Sequence, residues 1–155
     1  MKAIIAKQLG PPENLVIDEL EALTPGSGQV VVDNRAAAIN FPDLLVMEGK
    51  YQVKPPLPFS PGKESAGIVK SVGAGVNSVE VGDRVMVQVE YGTYAQEVLA
   101  EEAQCYPVPK DISFEEAAAI GIAYQTAHFA LVARAHIKEG DTVLVTGASG
   151  SVGLA

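Results

Sequence analysis

The sequence is poor in cysteine, tryptophan and histidine. Its 155 residues include one cysteine, Cys105, no tryptophan and two histidines. A single cysteine can form neither an internal disulfide nor a multi-cysteine metal cage, and this scarcity favours a reducing, cytoplasmic compartment. No apolar run approaches the ~20 residues that a membrane-spanning helix needs. The short apolar stretch at the N-terminus also lacks the pattern of a signal peptide, so we expect no membrane partner.

Basic residues are also scarce. The chain has 11 Lys and Arg against 19 Asp and Glu, a formal net charge of -8. A protein that binds the phosphate backbone of nucleic acid needs clustered basic residues, and this sequence has no such cluster. Hydrophobic residues make up 48% and charged residues 19%. This composition is typical of a globular domain, and nucleic acid is excluded as an expected partner.

What is present over the first 110 or so residues is a series of short apolar runs separated by Pro-Gly and Gly-rich turns. This alternation predicts a mainly β region. Asn40 and Pro42 predict one short helix over residues 41–48, with Asn40 as its N-cap. A strand is also expected around Cys105, whose side chain we interpret as a small packing residue. The other predicted strands cover residues 2–7, 15–17, 29–39, 65–72, 84–89 and 93–99.

The pattern changes near Asp111. Ser113 and Glu116 form a capping-box signature ahead of an alanine-rich run. Two helices are predicted, one ending near residue 119 and one over residues 123–135. A β-branched run over residues 142–146 then resembles a buried parallel strand, although we expect no sheet partner for it within the chain. We place a domain boundary between residues 122 and 123.

A glycine turn follows that run, with the pattern Ala148-x-Gly150-x-x-Gly153. Closely spaced glycines between a strand and a helix allow backbone N–H groups to approach a pyrophosphate. The first glycine of the usual G-x-G-x-x-G pattern is replaced by alanine here. By itself the turn is equally compatible with a structural connection between a strand and a helix.

The order of these parts resembles the medium-chain dehydrogenase/reductase superfamily, in particular its zinc-free quinone reductase branch. The resemblance covers essentially the whole chain. It implies a GroES-like β-barrel in residues 1–122, followed by helices and, in residues 123–155, by the first strand and turn of a truncated Rossmann domain. The motifs that carry the resemblance are AINFPD (38–43), GKY (49–51), PGKESAG (61–67), VGDRV (81–85), GTYA (92–95) and GASG (147–150).

The resemblance further implies an NADPH-dependent hydride transfer to a quinone or conjugated carbonyl. NADPH is preferred over NADH by the resemblance alone, because the deciding residues would lie after Ala155. Asn40 and Tyr51 are the candidate catalytic residues. The candidate cofactor-binding residues are Asn40, Lys63, Thr126, Gly147, Ala148, Gly150, Ser151, Val152 and Gly153.

Each candidate also has a plain structural interpretation. Asn40 is a helix cap, Tyr51 a half-buried loop residue and Thr126 a helix threonine bonded to its own backbone. Lys63 follows a Pro-Gly turn, and a solvated lysine is the favoured interpretation. Asp43 and Glu64 are expected to organise the site through hydrogen bonds.

Zinc is not expected. Zinc-using relatives take their catalytic ligands at positions that align with Asn40, Lys63 and Ile122. Asparagine is a poor zinc ligand, the lysine ammonium repels a cation and isoleucine cannot coordinate a metal.

Residues 141–155 are expected to pack on another copy of the chain or to cover apolar surface, which makes a homo-oligomer the expected assembly. The chain alone is expected to bind NADPH poorly and to be inactive. Two alternatives remain open: an enoyl-thioester reductase of the same superfamily and a non-enzymatic GroES-like binding or assembly module. A short-chain reductase is suggested only by Thr146-Gly147 and is disfavoured, because that pattern belongs near an N-terminus and a long β-rich region precedes it here.

Overall fold

The computed structural model describes all 155 residues and is mainly β. A hairpin pairs β1 (Lys2–Ala6) with β2 (Leu15–Glu19), and a short 3₁₀ turn (Pro12–Asn14) precedes β2. The remaining strands form one antiparallel sheet in the order β6-β3-β4-β5-β7. These strands are β3 (Gln29–Ala37), β4 (Glu64–Val72), β5 (Arg84–Gln88), β6 (Glu97–Glu101) and β7 (Cys105–Pro107).

The core lies on one face of this sheet and is built from β-branched side chains. Valine fits a pleated, buried surface because its stiff side chain packs against cross-strand neighbours. Cys105 is part of this core and is 6% exposed, which confirms its packing role. The other members are Val30, Val32, Val69, Val79, Val85, Val87, Val98 and Ala100.

The hairpin joins the sheet region through two isolated bridges, between Ala3 and Ala95 and between Ala6 and Phe59. The predicted strand over residues 93–99 begins later than expected, at Glu97. The residues before it instead bond to the Pro-Gly segment that precedes β4, where the Tyr94 N–H donates to the Pro61 carbonyl at 3.0 Å.

Two helices flank the sheet. Helix α1 (Phe41–Met47) begins after the Asn40 N-cap, as predicted. Helix α2 (Phe114–His128) begins at Ser113, whose Oγ accepts from the Glu116 N–H at 3.1 Å while the Glu116 carboxylate accepts from the Ser113 N–H at 2.9 Å. The predicted capping box is therefore confirmed. Small side chains let α2 lie close to β4, since Ala117 and Ala118 pack on Ala66.

The expectation of two helices in this region is wrong. Helix α2 continues through Gly121 without a break, and a π-helical turn (Phe129–Arg134) follows it directly. Gly121 does not end the helix. Its lack of a side chain lets α2 lie close to Glu64 and Gln88, and the local sequence does not reveal this contact. The division between residues 122 and 123 stays a prediction, and α2 runs across it.

The strand predicted over residues 142–146 is also absent. Residues 141–145 form no regular element, because no strand of the chain pairs with them. A four-residue helix α3 (Ser151–Leu154) follows the glycine turn. Val143, Leu144 and Val145 line a cavity of about 640 Å³ together with residues of α2 and the π-helical turn, yet Leu144 remains 87% exposed. Association of residues 141–155 with another copy stays a prediction. No helix of the structure has the length and apolar character needed to cross a membrane.

Candidate functional site

The site is built around two buried carboxylates, Asp43 in the first turn of α1 and Glu64 at the start of β4. Each residue is 1% exposed. The Asp43 Oδ2 accepts from the Asn40 N–H and from the Tyr94 hydroxyl, both at 2.8 Å. The other oxygen, Oδ1, is buried without a partner. Burial therefore raises the pKa of Asp43, although these two hydrogen bonds and the charge of Lys63 oppose the rise.

Glu64 connects two parts of the chain that are distant in sequence. Its Oε1 accepts from the Asn40 Nδ2 at 2.9 Å, and its Oε2 accepts from the Ile122 N–H at 2.7 Å. Burial raises the pKa of Glu64; the hydrogen bonds from Ile122 and Asn40 lower it, and the nearby charge of Asp43 raises it. Burial also raises the pKa of Tyr94, with the Asp43 charge acting in the same direction. Asp43 and Glu64 thus make the hydrogen bonds expected of them, and their role in organising a site stays a prediction.

Lys63 is buried, so the expectation of a solvated lysine is wrong. Its side chain is 8% exposed, and its Nζ donates to the Glu90 carboxylate at 2.6 Å and to the Glu90 carbonyl at 3.0 Å. The same ammonium lies 4.4 Å from the centre of the Tyr51 ring. The preceding residue, Gly62, has a φ of 91° and no room for a side chain. A Cβ there would lie 2.3 Å from the Thr93 Oγ1.

Tyr51 follows Gly49 and Lys50 in the loop after α1 and is half-buried. It packs against a small cluster formed by Ala6, Val46 and Phe59. Lys63 and the cluster together hold the ring, which agrees with the plain structural interpretation. A catalytic role for its hydroxyl stays a prediction.

Thr126 lies on α2, one turn after Ile122. Both residues line an open cavity of about 740 Å³, together with Tyr124, Gln125, His128 and Phe129. Residues four apart share one face of a helix. Glu64 therefore links Asn40 to the helix face that carries Thr126.

The glycine turn lies apart from this network, against the C-terminal part of α2. Gly147 has a φ of 64°, and its carbonyl accepts from the Gly150 N–H at 3.0 Å. A Cβ on Gly153 would lie 2.3 Å from the same carbonyl oxygen, so the turn tolerates only glycine there. Ala148 lies within the turn, and Ser151 and Val152 open α3. The packing of the turn itself thus requires glycine at this position, and contact of the turn with a pyrophosphate stays a prediction.

Sequence reasoning missed three contributors to the site. Tyr94 was visible only as part of a GTYA motif, and nothing local indicated its bond to Asp43. The pairing of Lys63 with Glu90 joins residues that lie 27 positions apart. The isolated Gly121 within a helical pattern was the one available signal of close backbone approach. Within the chain there is no group of three or more His, Cys, Asp or Glu side chains that could hold a metal ion.

Comparison with known proteins agrees with this arrangement. Residues 26–110 match the family described as the alcohol dehydrogenase GroES-like domain. Quinone oxidoreductase-like protein 2 of Rattus norvegicus is 40% identical over 154 residues, which cover 99% of this chain and 43% of that protein. The chain thus spans less than half the length of this relative.

Solved structures give the same result. A human synaptic vesicle membrane protein VAT-1 homolog-like protein superposes with a TM-score of 0.94 at 36% identity, over 99% of this chain and 50% of that one. The Escherichia coli quinone oxidoreductase complexed with NADPH superposes with a TM-score of 0.91 at 35% identity, over 99% of this chain and 47% of that one. The chain belongs to the alcohol dehydrogenase GroES-like domain family and, through it, to the medium-chain dehydrogenase/reductase superfamily.

Proposed function

We propose that this chain forms the substrate-side part of an NADPH-dependent, zinc-independent oxidoreductase that reduces a quinone or a conjugated carbonyl. The observation that carries the proposal is the buried network in which Glu64 joins Asn40 to α2 at Ile122. A rigid polar site beside an open cavity suits the task of holding a cofactor and an acceptor in a fixed relation. The similarity to an NADPH-complexed quinone oxidoreductase supports the choice of cofactor.

The residues of this chain would hold the cofactor at two places. Gly147, Ala148, Gly150, Ser151, Val152 and Gly153 would contact its phosphates through backbone N–H groups. Asn40, Lys63 and Thr126 would contact its nicotinamide end, which supplies the hydride. Lys63 reaches a ligand only with the donor that Glu90 leaves free, so we assign it a supporting role.

The absence of zinc is part of the proposal. Lys63 places a buried ammonium at a position where zinc-using relatives carry a ligand. A cation at this point repels a second cation, and neither Asn40 nor Ile122 compensates for it. The carboxylate nearest to this ammonium, that of Glu90, is paired with it. Asp43 and Glu64 are already bonded to Tyr94, Asn40 and Ile122.

Tyr51 is proposed as the group that donates a hydrogen bond or a proton to the acceptor carbonyl. Steady-state kinetics of Tyr51→Phe in the full-length gene product test this role. We expect kcat to fall at least tenfold with little change in KM for NADPH. Kinetics that match those of the parent would remove Tyr51 from the mechanism.

The cofactor assignment is tested by titrating the full-length gene product with NADPH and following the nicotinamide fluorescence. Saturable binding that Gly153→Ala weakens at least tenfold is expected, because the added methyl has no room against the Gly147 carbonyl. Ser149→Ala, in the same turn, is the matched control. A parent protein that does not bind NADPH would refute the proposal and favour a non-enzymatic module. The similarity to a protein named for synaptic vesicle membranes keeps this alternative open.

Acceptor profiling separates the remaining alternatives. Faster turnover with quinones than with enoyl thioesters supports the proposal, and the reverse favours the enoyl-thioester reductase.

The 155-residue chain by itself is proposed to be inactive, to reside in a reducing cytoplasmic compartment and to self-associate through residues 141–155. Sedimentation of the chain with and without this segment tests the last point.

A further inference from the structure

Glu64 is a buried carboxylate whose two oxygens accept hydrogen bonds from two different segments of the chain. One oxygen accepts from the side chain of Asn40, which precedes α1, and the other accepts from the backbone of Ile122 in α2. The first partner lies 24 residues before Glu64 and the second 58 residues after it. One buried side chain thus connects three elements of the fold.

Gly121 makes this connection possible. A Cβ on Gly121 would lie 2.7 Å from the Glu64 Oε2 and 2.5 Å from the Gln88 Nε2. A side chain at this position would therefore separate the backbone of α2 from the carboxylate. The small residues Ala66, Ala117 and Ala118 bring the preceding turn of α2 equally close to the sheet.

We infer that Glu64 is a positioning residue, which holds the carboxamide of Asn40 and the Thr126 face of α2 in a fixed relation. The inference rests on the proposed function, in which Asn40 and Thr126 contact the same ligand. Glu64 itself touches neither the ligand nor the acceptor. Its effect passes through the Asn40 Nδ2 and the Ile122 N–H.

A carboxylate suits this place because both of its oxygens accept hydrogen bonds, whereas a glutamine amide accepts through one atom only. Glu64→Leu removes both acceptors, and in Asn40→Asp two carboxylates face each other across the distance of one hydrogen bond. Each of these substitutions is therefore expected to break the connection. Glu64→Gln alone can keep it, because the Asn40 carboxamide can turn over and accept from the new NH2 group.

Adding Glu64→Gln to Asn40→Asp restores the connection with the polarity reversed. In the double variant Asn40→Asp/Glu64→Gln, the new glutamine amide can donate to the new aspartate and still accept from the Ile122 N–H. Aspartate is as good an N-cap as asparagine, so α1 keeps its start. Rescue of Asn40→Asp by Glu64→Gln is expected of a direct pair and is not expected of two independent structural residues.

The experiment measures amide hydrogen exchange at Ile122 by NMR in the full-length gene product, without ligand. Exchange is expected to rise at least tenfold in Glu64→Leu and in Asn40→Asp, and to return within threefold of the parent in the double variant Asn40→Asp/Glu64→Gln. Glu116→Gln, which changes a carboxylate at the start of the same helix, is the control and should leave Ile122 unaffected. No recovery in the double variant, or unchanged exchange in Glu64→Leu, would overturn the inference. If Glu64→Leu does not fold, the recovery in the double variant decides the inference.

A second measurement separates positioning from simple structural support. The Kd for NADPH is expected to rise at least fivefold in Glu64→Leu and to stay unchanged in Glu116→Gln. Faster exchange at Ile122 with an unchanged Kd would overturn the positioning role. A parent that binds no NADPH would refute the proposed function, whereas the exchange data would still report on the connection made by Glu64.

Discussion

Gly121→Ala is the substitution whose outcome depends most directly on the packing of α2. In an isolated helix, alanine is more favourable than glycine by about 1 kcal/mol. In this structure the added methyl would lie 2.7 Å from the Glu64 Oε2. Gln88 can move away at the cost of an exposed hydrogen bond to Gln125. Glu64 can move only by losing its bond to Ile122.

The size of these opposing contributions decides whether Gly121→Ala stabilises or destabilises the protein. A hydrogen bond to a charged group contributes about 1.5–3 kcal/mol, and the steric conflict adds about 1 kcal/mol or more. After subtracting the gain in helix propensity, we expect Gly121→Ala to lower the free energy of unfolding by roughly 1.5–3 kcal/mol.

The assay is urea unfolding followed by circular dichroism, with m values compared to confirm that the transition is unchanged in character. Ala119→Gly is the matched control on an exposed position of the same helix, where propensity alone predicts a loss of about 1 kcal/mol. Both substitutions should destabilise the protein, although their propensity terms have opposite signs. A stabilised Gly121→Ala would refute the close approach of α2 to Glu64.

Three further outcomes are expected. Hydrogen bonds from Lys70 and from the Leu23 N–H hold the pKa of Glu97 below its usual value. The contribution of Glu97 to stability is therefore present above about pH 4.5 and is lost as the pH falls through the lowered pKa. In Glu97→Gln, the free energy of unfolding should fall less on acidification than in the parent, and an unchanged pH profile would contradict this. Burial raises the pKa of Cys105 to about 11. Ellman's reagent at pH 8 should therefore react with this thiol only on unfolding, and rapid reaction of the native protein would show that the core is open. Ser113→Ala should lower the free energy of unfolding by about 1 kcal/mol, because it removes the N-cap of α2. Ser113→Asp, which keeps a cap, is the control in thermal melts, and equal melting temperatures of the two variants would count against the capping box.

The parts of the fold that depend on neighbouring residues could be predicted from the sequence. Asn40 and Ser113 each identified the start of a helix, because a cap and its partner lie three residues apart. The strands of the sheet followed from short β-branched runs between glycine turns. Each of these signals acts over a few residues, so the local sequence is enough to predict these elements.

The burial of Lys63 could not be predicted in this way. It depends on Glu90 and on a turn whose geometry is set by packing between Gly62 and Thr93. The continuity of α2 was missed for a related reason, since Gly121 breaks helices in isolation but here faces Glu64 and Gln88. The run over residues 142–146 has strand propensity, yet a strand exists only when another strand pairs with it. All three errors concern partners that are distant along the chain.

That unpaired run has a consequence for the behaviour of the chain in concentrated solution. Val143, Leu144 and Val145 form an uncharged, β-prone segment with exposed side chains, which is the kind of sequence that seeds intermolecular β aggregation. The charged turn before it, in which the Asp141 carboxylate accepts from the Lys138 N–H at 2.7 Å, places gatekeeper residues at one end. The opposite end has no charged residue between Thr146 and Ala155. Aggregation of the chain is therefore expected to begin at residues 143–145, from the end that lacks charged neighbours, and to be suppressed at low protein concentration.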